Sequence, residues 1–168
     1  VCYEESRGGA PTRVALHLPA EIAEPYYASF CNGVLWPFLH GMVERVKYDD
    51  GAWRAYLEAN DRFAAAVIRV AAPSATVWVH DYHHLVLAAA LRRRGFAGRL
   101  GFFLHVPFPA TEIVETLPRC EELIQGIAAY DLVGFHTARY VRNFVTVARD
   151  LIGARRTSDG IVVDGHRC

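Results

Sequence analysis

The chain has 168 residues, 52% of them hydrophobic, and its 18 lysine and arginine residues balance 18 aspartate and glutamate residues. A chain of this length forms one domain and buries roughly 70% of the surface it exposes when unfolded. With no net charge it sets up no field for nucleic acid or anionic lipid, so neither is expected as a partner, and a small ligand fits better.

No apolar run approaches the roughly 20 residues of a membrane span. Val1 to Arg13 carries Glu4, Glu5 and two glycines where a signal sequence would carry an apolar core. Cys2, Cys31, Cys120 and Cys168 are scattered without CxxC spacing, which suggests neither a zinc knuckle nor a dense disulfide framework and fits a reducing cytoplasm.

After a polar, glycine-containing opening, Arg13 to Leu18 alternates and meets Pro19, as a short strand closed by a breaker does. Pro25 suits the first turn of a helix. Tyr26, Tyr27, Phe30, Val34 and Phe38 then recur at spacings near three and four, predicting an amphipathic helix over 22–41 that is interrupted at Pro37. Trp53, Tyr56, Leu57, Phe63, Ala64, Val67 and Ile68 share one face of a second helix over 53–70, which Pro73 ends. Three uninterrupted apolar runs follow, Thr76 to His80, Leu100 to His105 and Leu132 to His136. They have the length and composition of parallel strands covered on both faces. Helical patterns lie between and after them: His83 to Arg94, closed by three arginines and Gly95, then Thr111 to Leu117, Glu121 to Ala129 and Ala138 to Leu151. The order is βαβαβα, an α/β fold without an internal domain boundary. The tail from Arg155 to Cys168 holds a Ser158-Asp159-Gly160 turn with a short hairpin around it.

Open parallel sheets bind ligands beyond the carboxyl ends of their strands. All three predicted strands end in histidine, so His80 with Asp81, His105 with Val106-Pro107, and His136 with Thr137 should line one rim. Any one of these histidines could instead be buried and bonded to backbone. As a set they point to a polar site. Asp81 could cap the helix that follows or accept hydrogen bonds from sugar hydroxyls, each of which needs a partner once buried. His80, His83 and His84 do not complete a tetrahedral zinc set, and no metal or cofactor is expected. Tyr27 and Trp36 suit either a helical core stripe or a ligand. The Pro-bracketed loop after Phe102 restricts the backbone around His105.

Four segments, YYASFCNGVLWPFLHG (Tyr26 to Gly41), WVHDYHHLVLAAALRRRG (Trp78 to Gly95), GFFLHVPFPATEIVETLP (Gly101 to Pro118) and YDLVGFHTARYVRNF (Tyr130 to Phe144), resemble in order and spacing the acceptor domain of the trehalose-6-phosphate synthase family, glycosyltransferase family 20. The resemblance implies a GT-B architecture of two Rossmann-like domains facing across a cleft, with this chain a partial N-terminal, acceptor-side domain. The family's first strand would precede Val1 and its donor domain would follow Cys168. It also implies retaining transfer of glucose from UDP-glucose or a related nucleotide sugar to glucose 6-phosphate, without a metal. Tyr27 and Trp36 match residues that contact the acceptor and its phosphate, Asp81 matches the aspartate that holds acceptor hydroxyls, and His105 matches the histidine near the transferred glucose. Tyr82 and His83 complete the motif without a separate role. His84 stands where the family usually has an apolar residue, Ala88 where proline is common, and Arg119-Cys120 where Trp-Arg is frequent. These departures leave open a relative acting on another acceptor, such as a glucosylglycerol-phosphate synthase or a validoxylamine-type pseudo-glycosyltransferase. A non-catalytic regulatory module and a homo-oligomeric assembly also stay open.

Overall fold

The computed structural model describes residues 2–4 and 13–168, and the polar opening read at 5–12 lies outside the described residues. Strand β1 (Cys2–Glu4) pairs antiparallel with β2 (Arg13–Ala15), which stops sooner than the alternation to Leu18 predicts. Helix α1 (Ala20–Glu24) runs directly into an 11-residue π-wound segment, Pro25–Leu35, and then into one α-turn, α2 (Trp36–Leu39). Pro37 therefore does not interrupt the helix. It sits where the winding changes from π to α, so the one backbone bond its missing N–H forgoes falls at that change. Helix α3 (Asp50–Val70) starts three residues before the predicted stripe, because the Asp49 carboxylate accepts from the Ala52 N–H at 2.8 Å and caps it.

The central sheet has the order β3 (Thr76–His80), β4 (Arg99–Leu104), β5 (Leu132–Phe135), all parallel. Register places Val77 opposite Leu100, Val79 opposite Phe102, and Leu104 opposite Phe135. These residues form the inner face, packed into one core with Leu91, Ile124, Ile127 and Tyr130. Helices α4 (Leu87–Arg93), α6 (Cys120–Ala128) and α7 (Ala138–Ile152) follow the three strands, with a single turn α5 (Thr111–Val114) before α6. Alternation puts Trp78, His80, Gly101, Phe103, Leu132 and Gly134 on the other face. There Trp78 is 48% and Leu132 58% exposed, so the described residues cover the sheet on one face only, against the two expected from its apolar runs. Rings lie over the glycines on that face: a Cβ at Gly101 would strike the Trp78 ring, and one at Gly134 would meet Phe103 at 2.6 Å, so either ring would have to shift to admit a side chain.

The helix predicted from His83 begins only at Leu87, because residues 82–85 find their hydrogen bonds elsewhere. The Tyr56 hydroxyl donates to the Tyr82 carbonyl and accepts from the Leu85 N–H, both at 2.9 Å. The Asn60 amide donates to the His83 carbonyl at 3.1 Å, and the Tyr130 hydroxyl donates to that of His84 at 2.7 Å. A backbone satisfied by distant side chains has no need of helical bonds. At the carboxyl end, β6 (Arg155–Arg156) and β7 (Ile161–Val163) form the predicted hairpin, extended by β8 (His166–Arg167).

Candidate active site

The exposed side chains of the segment 25–40 reveal its winding. Tyr27, Asn32, Trp36 and His40 are all exposed, at intervals of five, four and four residues, while Tyr26, Phe30, Val34 and Phe38 are buried at intervals of four. The Trp36 N–H donates to the Cys31 carbonyl, five residues back. An i→i+5 helix turns roughly 82° per residue, so the nine residues from Tyr27 to Trp36 make about two full turns and return to the same face. In an α-helix, at about 100° per residue, they would point in opposite directions. The π-winding thus makes one ledge of Tyr27, 55% exposed, and Trp36, 40% exposed. It adds Asn32 and His40 to that ledge, which the helical reading missed; the signal available was an apolar spacing of four throughout. His40 lies against the Trp36 indole at 4.3 Å, and its Nδ1–H donates to the Trp36 carbonyl at 2.7 Å.

The ledge meets the end of β3. His83 is sandwiched between Tyr27, stacked at 5.6 Å, and Tyr82, stacked at 4.2 Å. The Tyr82 hydroxyl donates to Asn32 Oδ1 at 3.1 Å. Burial pulls the His83 imidazole below its ordinary pKa against the opposing charge of Asp81, so it is neutral at neutral pH. His84, one residue on, turns away from the rim and under α3. There it packs edge-on to Phe63 at 4.7 Å, and its Nδ1 lies 3.2 Å from Asn60 Oδ1. His80, His83 and His84 therefore do not converge on one point.

Asp81 occupies the junction. Its backbone, at φ 70° and ψ 169°, lies in a region nearly exclusive to glycine and costs about 1–3 kcal/mol. Its N–H donates to the Phe103 carbonyl at 2.9 Å, extending the β3–β4 ladder by one bond. Its Oδ1 accepts from the Tyr82 N–H at 3.0 Å and the His105 N–H at 3.3 Å. Asp81 does cap, but it caps the 3-10 turn Tyr82–His84 and the end of β4, and Oδ2 has no hydrogen-bond partner among the described residues. An aspartate held in a glycine conformation with one oxygen unused is an arrangement that a capping role alone does not require.

His80 is the last residue of β3, while His105 and His136 stand one residue beyond β4 and β5, all three exposed on the sheet face that also bears Phe103. His80 Nδ1 lies 2.9 Å from His105 Nε2, and the His105 ring lies 5.8 Å from that of His136. The rim read from the sequence thus exists as one side-chain cluster, with Asp81 and His105 joined through a hydrogen bond and Tyr27 joined to them through His83 and Tyr82. Trp36 stands further along the ledge with His40. What the arrangement offers is a carboxylate oxygen, imidazole nitrogens and stacked aromatic faces along one edge, which suits a polyhydroxylated ligand.

The model of glycosyltransferase family 20 matches residues 7–168. The chain is 38% identical over 148 residues to an alpha,alpha-trehalose-phosphate synthase (UDP-forming) of Dictyostelium discoideum, covering 88% of this chain and 20% of that protein. Among solved structures, a trehalose-6-phosphate synthase studied for glycosyl transfer with retention through bisubstrate mimics superposes with a TM-score of 0.92 at 33% identity, over 98% of this chain and 38% of that one. The synthase of Burkholderia xenovorans in complex with glucose-6-phosphate gives 0.90 at 32% identity, over 98% and 37%. The chain spans about a fifth to two-fifths of the length of these relatives. Its parallel sheet with flanking helices is that of the GT-B glycosyltransferases among them, and by the match over nearly all its length this chain belongs to glycosyltransferase family 20.

Proposed function

We propose that this chain is the acceptor side of a retaining trehalose-6-phosphate synthase, transferring glucose from UDP-glucose to glucose 6-phosphate. The observation that carries the proposal is Asp81, strained into a glycine conformation, bonded to the end of β4 through Oδ1 and with no partner for Oδ2 among the described residues, beside His105 and the Tyr27 ledge. In this reading Asp81 Oδ2 accepts from acceptor hydroxyls, Tyr27 and Trp36 hold the acceptor and its phosphate, and His105 meets the transferred glucose. The bond from the anomeric carbon to the donor's diphosphate breaks and one to the acceptor oxygen forms on the same face. The acceptor proton passes to the leaving diphosphate. Asp81 orients the acceptor and is not the base. Rate comes from positioning and from stabilising the charge that develops on the departing phosphate.

The open face of the sheet, with Trp78 and Leu132 exposed, supports a partial N-terminal domain that further chain covers. The donor site then belongs to a second domain, and residues 1–168 alone should not turn over. His84, one of the departures that motivates a different acceptor, is hydrogen-bonded to Asn60 under α3, and so has no direct part in acceptor choice. A cytosolic location fits Cys31, Cys120 and Cys168, all of them free thiols. The test is UDP release by the full-length protein given UDP-glucose with a panel of acceptors. Glucose 6-phosphate should be preferred. Turnover with another acceptor and none with glucose 6-phosphate would overturn the assignment, and tight glucose 6-phosphate binding without turnover would favour a regulatory module.

A further inference from the structure

The hydrogen bond between His80 and His105 has a proton count that can be worked out. The two rings sit at the ends of neighbouring strands, their centroids 5.1 Å apart, with His80 Nδ1 and His105 Nε2 separated by 2.9 Å. His80 is held from the side by Trp78, edge-on at 6.2 Å, and His105 by Phe103 at 4.8 Å. At that nitrogen separation one proton must lie between the rings, since two lone pairs or two N–H groups would repel. Two neutral arrangements satisfy this. If His80 donates, both rings carry their proton on Nδ1. If His105 donates, both carry it on Nε2, which is the more stable neutral form of the histidine side chain. No other hydrogen bond to either ring's remaining nitrogen is present among the described residues to favour the first arrangement.

We propose that His80 is a positioning residue: its Nδ1 accepts the Nε2–H of His105, fixes the orientation and tautomer of that ring, and leaves Nδ1 of His105 as a lone-pair acceptor for a ligand hydroxyl. The naming of that hydroxyl as one on the transferred sugar rests on the function proposed above, whereas the tautomer does not. His105 thereby gains a chemical sense. It receives a hydrogen bond from the sugar and gives none, so a donor sugar lacking the hydroxyl, or carrying an ether in its place, would lose the contact.

The experiment has two readouts. Long-range proton–nitrogen correlation spectra of the ¹⁵N-histidine-labelled protein should show His105 protonated on Nε2, with a pyridine-like Nδ1. His80→Phe, which offers no acceptor, should release His105 into a mixture of tautomers. His80→Asn places an amide oxygen near the position of the lost Nδ1 and should keep the wild-type signature. In the full-length enzyme, His80→Phe should lower kcat by about tenfold, the worth of one hydrogen bond, with the acceptor KM unchanged. His80→Asn should recover most of that loss. A His105 ring protonated on Nδ1 in the wild type, or equal activity in the Phe and Asn variants, would overturn the proposal. Should the wild type prove to have no synthase activity, the function reading falls while the spectra still decide the histidine pair. Should His80→Phe fail to fold, the wild-type spectrum and the Asn variant decide it.

Discussion

Acid should destabilise this fold through His84, and the size of the effect follows from its surroundings. Asn60, fully buried, donates both amide hydrogens to carbonyls, at 3.0 Å to Tyr56 and 3.1 Å to His83, so its Oδ1 can only accept. His84 must therefore donate from Nδ1 and keep a lone pair on Nε2, and a second proton would have to enter a buried space beside Phe63. Burial first, and then the neighbouring His83, push its pKa down to about 4 from an ordinary 6.5. The unfolded chain thus binds a proton that the folded chain refuses across that interval, so the His84 contribution to stability falls as pH falls from 6.5 to 4 and is constant outside it. At 1.36 kcal/mol per unit the loss is about 3 kcal/mol, a large share of the 5–15 kcal/mol that holds a typical domain together. His84→Leu should remove this dependence while costing about 1–3 kcal/mol at neutral pH, because Asn60 Oδ1 is left buried without a donor. Urea denaturation followed by circular dichroism at pH 7 and pH 4 gives the difference between wild type and variant, which cancels the carboxylates common to both. Parallel acid losses in the two proteins would show that His84 is not the buried, neutral group described here.

Other perturbations test other parts of the argument. Asp81→Asn keeps an oxygen for the Tyr82 and His105 amides, so denaturation midpoints should move little, while turnover of the full-length enzyme should fall by the ~1.5–3 kcal/mol of a charge-assisted hydrogen bond; near-wild-type activity would return Asp81 to a capping role. Asp81→Gly should relieve the backbone strain of about 1–3 kcal/mol and lose the two Oδ1 bonds, leaving stability close to wild type with activity abolished; a large loss of stability would mean the carboxylate is there for the fold. His105→Ala should lower turnover more than acceptor binding, measured by calorimetry with glucose 6-phosphate, whereas equal losses in folding stability and activity would mark a structural histidine. Gly126→Ala should destabilise by about 1–3 kcal/mol in urea, since the new methyl would meet the Leu85 carbonyl and the Val86 Cα at 2.9 Å where α6 crosses the start of α4; an unchanged midpoint would refute that close approach.

The sequence alone determined the parts governed by near neighbours in the chain. Apolar runs of strand length located β3, β4 and β5, a glycine after three arginines closed α4, and four motifs carried the family and, with it, the expectation that Tyr27, Trp36, Asp81 and His105 serve a sugar site. Tertiary structure decided the rest, because those features depend on atoms far apart in sequence. The start of α4 was set by Tyr56, Asn60 and Tyr130, whose side chains reach residues 82–85 from 23 to 46 positions away. The π-winding that aligns Tyr27 with Trp36 differs from α by less than one residue per turn, a margin that apolar spacing hardly registers and that packing against α3 exposes. His84, which the motif groups with His80 and His83, is half-buried away from the rim, because the turn Tyr82–His84 points its ring under α3. The partnership of His80 with His105 follows from a parallel register setting His80 opposite Phe103 and bringing the next strand end within a hydrogen bond, and no local pattern of residues encodes that register.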